Sequence, residues 1–147
     1  MIRRFKPTDK EKLVRILKLN VPKNFAPNEI KDFENYLGEE IEDYFVVDSD
    51  GDIIGGGGIN YFYDSAIARL SWDIIHPDYH GKGIGKELIK YKMKHIKNNP
   101  GIKLIVVRTS QMAYRFYEKS GFELEKVEKN FWAKGFDLYQ MKQTIIR

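Results

Sequence analysis

Cysteine is missing altogether from these 147 residues. That absence excludes disulfides, thiolate metal sites and a covalent intermediate on a thiol. Missing too is any apolar run near the roughly 18 residues needed to cross a bilayer. The opening MIRRFKPTDKEK has no apolar segment of the kind a signal peptide carries. The expectation is a cytoplasmic protein with no membrane partner. No repeat of 20 to 50 residues, no low-complexity linker and no compositional break divides the chain, so residues 1–147 read as one domain with room for a core. A concentrated basic face is also lacking. The net charge, 25 minus 21 or +4, suits a phosphate-bearing ligand and falls short of what a nucleic-acid binder requires. What the chain does have is 42% hydrophobic and 31% charged residues, the balance of a folded globular domain.

The periodicities give an element order. IRRFKP reads as a short strand, and TDKEKLVRILKLN as a helix with Thr8 as N-cap and Leu13, Ile16, Leu17 and Asn20 on one face. VPKNF interrupts it. A second helix begins after Ala26-Pro27-Asn28 and runs to Gly38, with Ile30, Phe33 and Leu37 on one side. DYFVVDSDGDIIGGGGINYFY reads as a hairpin turning at Asp50-Gly51, and AIARLSWDIIHP as a further strand. A helix of roughly 15 residues, the strand KLIVVRT, the helix QMAYRFYEKS and two closing strands, FELEKVEKNFW and FDLYQMKQTII, complete the chain. Crossover helices mixed with hairpins imply a mixed sheet, hence an α/β or α+β class. The four glycines at 55–58 mark either a bulge or close backbone approach, or a loose turn.

The segment HPDYHGKGIGKEL places Gly81, Gly83 and Gly85 just ahead of a helix, with Lys82 and Lys86 beside them. A strand that ends in such a turn is an anion site, because the first helical N–H groups lack internal acceptors and the helix dipole is positive there. Phosphate is its natural occupant. A Walker loop is excluded because Lys86, not glycine, stands where its second glycine belongs, and Glu87 follows. A dinucleotide fingerprint is excluded because the third glycine comes one residue early and the turn lies mid-chain. Lys82 and Lys86 are assigned to ligand phosphate, and Lys90, Lys94 and Lys97 to a solvated helix face.

Together, HPDYHGKGIGKEL and, some thirty residues on, AYRFYEKSGFE resemble the two signature motifs of the GNAT family of N-acetyltransferases. The element order agrees over essentially the whole chain. The resemblance implies a central mixed, mostly antiparallel sheet flanked by about four helices, with acetyl-CoA as cosubstrate and no metal. The family pattern Q/R-x-x-G-x-G/A falls on His80-Gly81-Lys82-Gly83-Ile84-Gly85, with His80 the departure, and implies a cradle for the coenzyme pyrophosphate that extends to Lys86. It further implies that Tyr117, beside Phe116, is the general acid for the departing thiolate. A phenol of ordinary pKa near ~10 suits that task against a thiol near ~8.5. Ser110 stands where the family often has an asparagine against the pantetheine arm, and the backbones of Ile74 and Ile75 are the candidates to pair with that arm and polarise the thioester carbonyl. Asp73 sits among apolar neighbours on the same strand; it either meets water or a partner, or faces the cleft as general base. Met112 is read as core, and Phe122 as packing back across a helix end at Gly121.

The implied reaction is direct transfer of acetyl to a small-molecule primary amine in a ternary complex. A peptide or protein acceptor would instead predict an open groove, and a non-catalytic acyl-CoA-binding module would carry the cradle without turnover. Glu39, Glu40, Glu42 and Asp43 are read either as a steering patch for a cationic amine or as a solvated turn, and at least one of Tyr61, Phe62 and Tyr63 should be exposed or line a pocket. A homodimer through the terminal strands is compatible with this arrangement.

Overall fold

In a computed structural model covering residues 1–147, the chain forms seven strands and four α-helices. They are β1 (Ile2–Arg4), α1 (Lys10–Leu19), α2 (Glu29–Asn35), β2 (Asp43–Ser49), β3 (Asp52–Phe62), β4 (Ile67–Ile75), α3 (Ile84–Lys97), β5 (Leu104–Thr109), α4 (Tyr114–Lys119), β6 (Glu123–Ala133) and β7 (Phe136–Thr144). All strands join one sheet in the order β1-β2-β3-β4-β5-β7-β6. Every neighbouring pair is antiparallel except β4 and β5, which α3 joins by a crossover and which therefore run parallel. The fold is thus the mixed, mostly antiparallel α+β architecture expected.

Helix α1 buries Leu13, Ile16 and Leu17, and α2 buries Phe33, against Tyr44, Val46 and Ile74 on one face of the sheet. On the other face Leu88, Ile89 and Ile96 of α3 and Tyr117 of α4 meet Phe45, Ala68, Leu70, Ile105 and Val107. The β2–β3 turn has positive φ at both Asp50 (51°) and Gly51 (94°), the conformation that continues the strand twist.

One irregularity in β4 governs the site. Gly58 pairs with Ser71 and Gly56 with Ile74, so the single residue Gly57 faces both Trp72 and Asp73. This is a β-bulge, with Trp72 in the left-handed region at φ 50°. Strand side chains alternate, and one inserted residue exchanges the faces of everything after it. Leu70 points to the α3 side; with unbroken alternation Asp73 would point to the α1–α2 side. The bulge turns it toward α3 and turns Ile74 into the core beneath α1.

The four glycines of β3 are close-approach residues. A Cβ at Gly56 would lie 2.7 Å from the Tyr44 ring, at Gly58 2.6 Å from the Tyr36 hydroxyl, and at Gly55 2.8 Å from the Ile74 carbonyl. At Gly57 it would collide with the Asp73 carboxylate and sit 2.9 Å from Lys92 Nζ.

Three local expectations change. Asp9, not Thr8, precedes α1, its carboxylate accepting from the Lys6 amide at 2.8 Å and held by Arg3. Gly38 does not stop the second helix, which continues through a π turn from Tyr36 to Glu40. Helix α4 begins only at Tyr114, because the Ala113 and Tyr114 amides close a turn onto the Ser110 carbonyl. Met112 is therefore lifted out of the core and is 38% exposed. Its C-terminus is as expected: the Phe122 amide bonds to the Tyr117 carbonyl and the Gly121 amide to that of Glu118, with Gly121 at φ 96°.

Replacing Gly57 by Ala forces a methyl group into the space of the partly buried Asp73 carboxylate. Overpacking of this kind costs about 1–3 kcal/mol, so Gly57→Ala should lower the melting temperature by roughly 5–10 °C in a calorimetric scan. An unchanged melting temperature would show that β3 can move away from β4.

Candidate active site

Beyond β4 the chain passes through a short turn at Pro77–Tyr79 into the glycine segment, where Gly81 and Gly83 have φ of 77° and 81°. Gly83 caps α3, and its carbonyl accepts from the Glu87 amide. The preceding amides of Ile84, Gly85 and Lys86 have no acceptor in the chain and open onto a cleft of about 1180 Å³. The glycines serve two purposes. Nothing lies within 4 Å of a Cβ at Gly81 or Gly83, so backbone conformation and access require them, whereas a Cβ at Gly85 would come 3.1 Å from the Phe116 ring. The His80 ring sits 2.8 Å from the Ile75 carbonyl and ties the turn back to the end of β4. Lys82 lies over the Tyr79 ring at 5.4 Å, and Lys86, Lys90, Lys94 and Lys97 line the cleft along α3.

The parallel pairing of β4 with β5 extends only from Ile67 opposite Leu104 to Leu70 opposite Val107. Past that point the strands separate, leaving Ser71–Ile75 without a neighbour on that side. The His76 amide bonds to Ile54 on β3, so by alternation Ile74 turns its amide toward β3 and Ile75 turns its own into the gap. The Ile75 carbonyl is engaged by His80 and by Asn20 Nδ2 at 3.1 Å. Across the gap stand Ser110, whose hydroxyl accepts from the Met112 amide at 3.3 Å, and Phe116 and Tyr117 of α4.

At the floor of the gap Asp73 joins two other side chains. Tyr117 donates its hydroxyl to Oδ2 at 2.6 Å, and the ammonium of Lys92 forms an ion pair with Oδ1 while donating to the Gly58 carbonyl at 3.2 Å. Lys92 is fully buried, and the Asp73 side chain is 12% exposed and lines the cleft. Burial lowers the pKa of the Lys92 ammonium, and the adjacent carboxylate opposes that shift. Burial raises the Tyr117 phenol well above its ordinary value, and the Asp73 charge adds to the effect. Asp73 thus has the partner that one sequence reading expected, and its side chain also lines the cleft. Lys92 was not anticipated. Its signal was present, because Lys92 falls on the Leu88, Ile89, Ile96 stripe that α3 buries.

The cleft continues on the α1–α2 face, bounded by Phe25, Tyr36, Trp72, Arg69, Arg108 and Trp132. Asn28, at the start of α2, donates to the Trp132 carbonyl at 3.1 Å and bridges the α1–α2 loop to the β6–β7 hairpin. Of the acidic run only Glu40 lines this space. Glu42 accepts from Asn60, while Asp43 is held by Arg4, Tyr61 and His95. Tyr61 is half-buried on Asp43, and Phe62 and Tyr63 are exposed; none of the three lines the main cleft. No helix is long and apolar enough to cross a membrane.

Residues 40–124 match the family model described as an acetyltransferase (GNAT) domain. The chain is 30% identical over 110 residues to the amino-acid acetyltransferase of Vibrio vulnificus, covering 75% of this chain and 24% of that protein. It thus spans about a quarter of that relative's length. It is 25% identical over 162 aligned positions to the N-alpha-acetyltransferase of Sulfurisphaera tokodaii, covering 95% of this chain and 90% of the relative. A solved aminoglycoside 6′-N-acetyltransferase in complex with coenzyme A superposes with a TM-score of 0.79 at 19% identity, over 100% of this chain and 98% of that one. With its glycine turn, separated parallel strands and family match across more than half its length, the chain belongs to the GNAT family of acetyltransferases.

Proposed function

We propose that this protein transfers acetyl from acetyl-CoA to a primary amine on a small molecule, by direct attack within a ternary complex. One observation carries the reading: a single cleft joins the free amides of the glycine turn, through the gap between β4 and β5, to Tyr117 and Asp73. The amides of Ile84, Gly85 and Lys86 and the charges of Lys82 and Lys86 suit a pyrophosphate. The Ile75 amide suits pairing with the pantetheine arm, and a preorganised donor of this kind at the thioester oxygen is worth about 2.7–4 kcal/mol. Ser110 and Phe116 flank the same arm.

Attack by the neutral amine forms the C–N bond and breaks C–S, with the electron pair remaining on sulfur. The acceptor ammonium gives up two protons in all; one ends in solvent and the other accounts for the proton that reaches the thiolate. In this reading Tyr117 swings its O–H from Asp73 to the sulfur and recovers a proton from the acceptor. Asp73 orients the phenol, and the Lys92 ammonium offsets the negative charge that would otherwise accumulate beside it. The Asn28 to Trp132 hydrogen bond ties the α1–α2 loop to the β6–β7 hairpin, a connection that supports a small-molecule acceptor over a polypeptide laid across that side.

Coenzyme A release from acetyl-CoA across a panel of amines tests the reaction, with no cysteine to contribute background. Tyr117→Phe should lower kcat by about 10²–10⁴-fold and leave acetyl-CoA affinity nearly unchanged; unchanged turnover would remove Tyr117 from the chemistry. Lys92→Met leaves Asp73 buried without its cation, a loss of about 3–5 kcal/mol. Urea unfolding should show that loss, and adding Asp73→Asn should recover much of it. Equal stabilities of the two variants would mean that the pair is not coupled.

A further inference from the structure

Arg69 and Arg108 are the two arginines that line the cleft, and the proposed reaction leaves both unused. Leu70 and Val107 face α3, so their chain neighbours Arg69 and Arg108 both project from the opposite, α1–α2 face, Arg69 opposite Val106 and Arg108 two residues further along β5, where the strands begin to part. Other arginines of the chain are either occupied or in water. Arg3 and Arg4 hold carboxylates, Arg147 donates to backbone carbonyls, and Arg15 and Arg115 are exposed. Arg69 and Arg108 are only partly exposed, line the cleft, have no carboxylate within 4.0 Å and donate to no group of the protein. Each lies instead against aromatic rings: Arg69 is 4.9 Å from the Phe62 centroid, and Arg108 is 4.9 Å from that of Phe131 and 5.7 Å from that of Trp132. Such stacking fixes a guanidinium plane while leaving its N–H edge free to donate. Burial, and then the nearby Arg108 charge, hold the Arg69 pKa below its ordinary value, with Tyr36 and Glu40 opposing the shift.

Two partly desolvated guanidiniums with fixed planes and free donor edges form a receptor for a planar anion. We propose that the acceptor carries a carboxylate, bound by Arg69 and Arg108, a few bonds from the amine that enters the gap. The substrate class is then an amino acid or another amino-carboxylic acid. This rests on the transferase reading and narrows it: the arginines draw the carboxylate to the α1–α2 face, leaving the amine as the end directed at the thioester.

The test compares matched amines in the coenzyme A release assay: the free amino acids, their carboxamides, the amines left by decarboxylation, and phosphoethanolamine as a phosphate-bearing competitor. A site built to pair with an anion rejects the analogue that lacks it, so kcat/KM for the best acid should exceed that for its carboxamide by at least 10²-fold. Arg108→Gln should raise KM for that acid by 10-fold or more, leave KM for acetyl-CoA within about 2-fold and not affect the carboxamide. Arg108→Lys should retain part of the preference, and Arg69→Gln provides a second variant should the first fail to fold. Carboxamides or decarboxylated amines that react as well as the acids would overturn the proposal, as would a preference for phosphoethanolamine or an Arg108→Gln effect equal on acid and carboxamide. If acetyl-CoA binds by calorimetry and no amine of any class gives release, the transferase reading itself fails.

Discussion

The site rests on the ion pair of Asp73 with Lys92, formed across a glycine. A lysine with no solvent exposure is expensive to ionise, and its charge is tolerable only because a carboxylate and the Gly58 carbonyl meet it directly. Meeting it requires three things at once. Asp73 must point toward α3, which the bulge at Trp72 accomplishes; β3 must have no side chain between the two, which Gly57 ensures; and the second carboxylate oxygen must be satisfied, which Tyr117 does. The phenol proposed to act on the thiolate is therefore held in place by a charge pair.

Around that pair the sheet is arranged to open. Five of its six neighbouring strand pairs are antiparallel, but the α3 crossover makes β5 parallel to β4, and their pairing ends at Leu70 and Val107. Beyond it the Ile75 amide of β4 stays free on the gap side, and the glycine turn adds further free amides at the start of α3. Unpaired backbone groups are a cost in a protein interior; along the wall of a cleft they become a means of holding an extended ligand.

The cleft has two ends of different chemistry. Along α3 it presents lysines and amides, suited to phosphate; on the α1–α2 face it presents aromatic walls and two stacked guanidiniums. The Asn28 to Trp132 hydrogen bond links the two loops beside the second end. This division follows from strand alternation, because adjacent residues of β4 and β5 face opposite sides of the sheet: Leu70 and Val107 close the α3 core while Arg69 and Arg108 face the other way.

Much of this was readable along the chain, wherever the relevant physics is local. The Asp50-Gly51 hairpin, the glycine turn before α3 and the Gly121 helix end depend on φ preferences and on capping within a few residues, and all three stand where the pattern put them. Fold class followed from the same periodicities. The start of α4 and the fate of Met112 were not readable, since a turn closed by the Ser110 carbonyl competes with a helix on nearly equal local terms. The burial of Lys92 was legible in the stripe of α3, but its partner was not, and neither was the setting of Arg69: their meaning comes from residues 19 and 39 positions away, Asp73 in one case and Arg108 in the other. A sequence states which residues carry charge; whether a charge is solvated, paired or left waiting for a ligand is decided only when strand register and a single inserted residue bring distant segments to the same face.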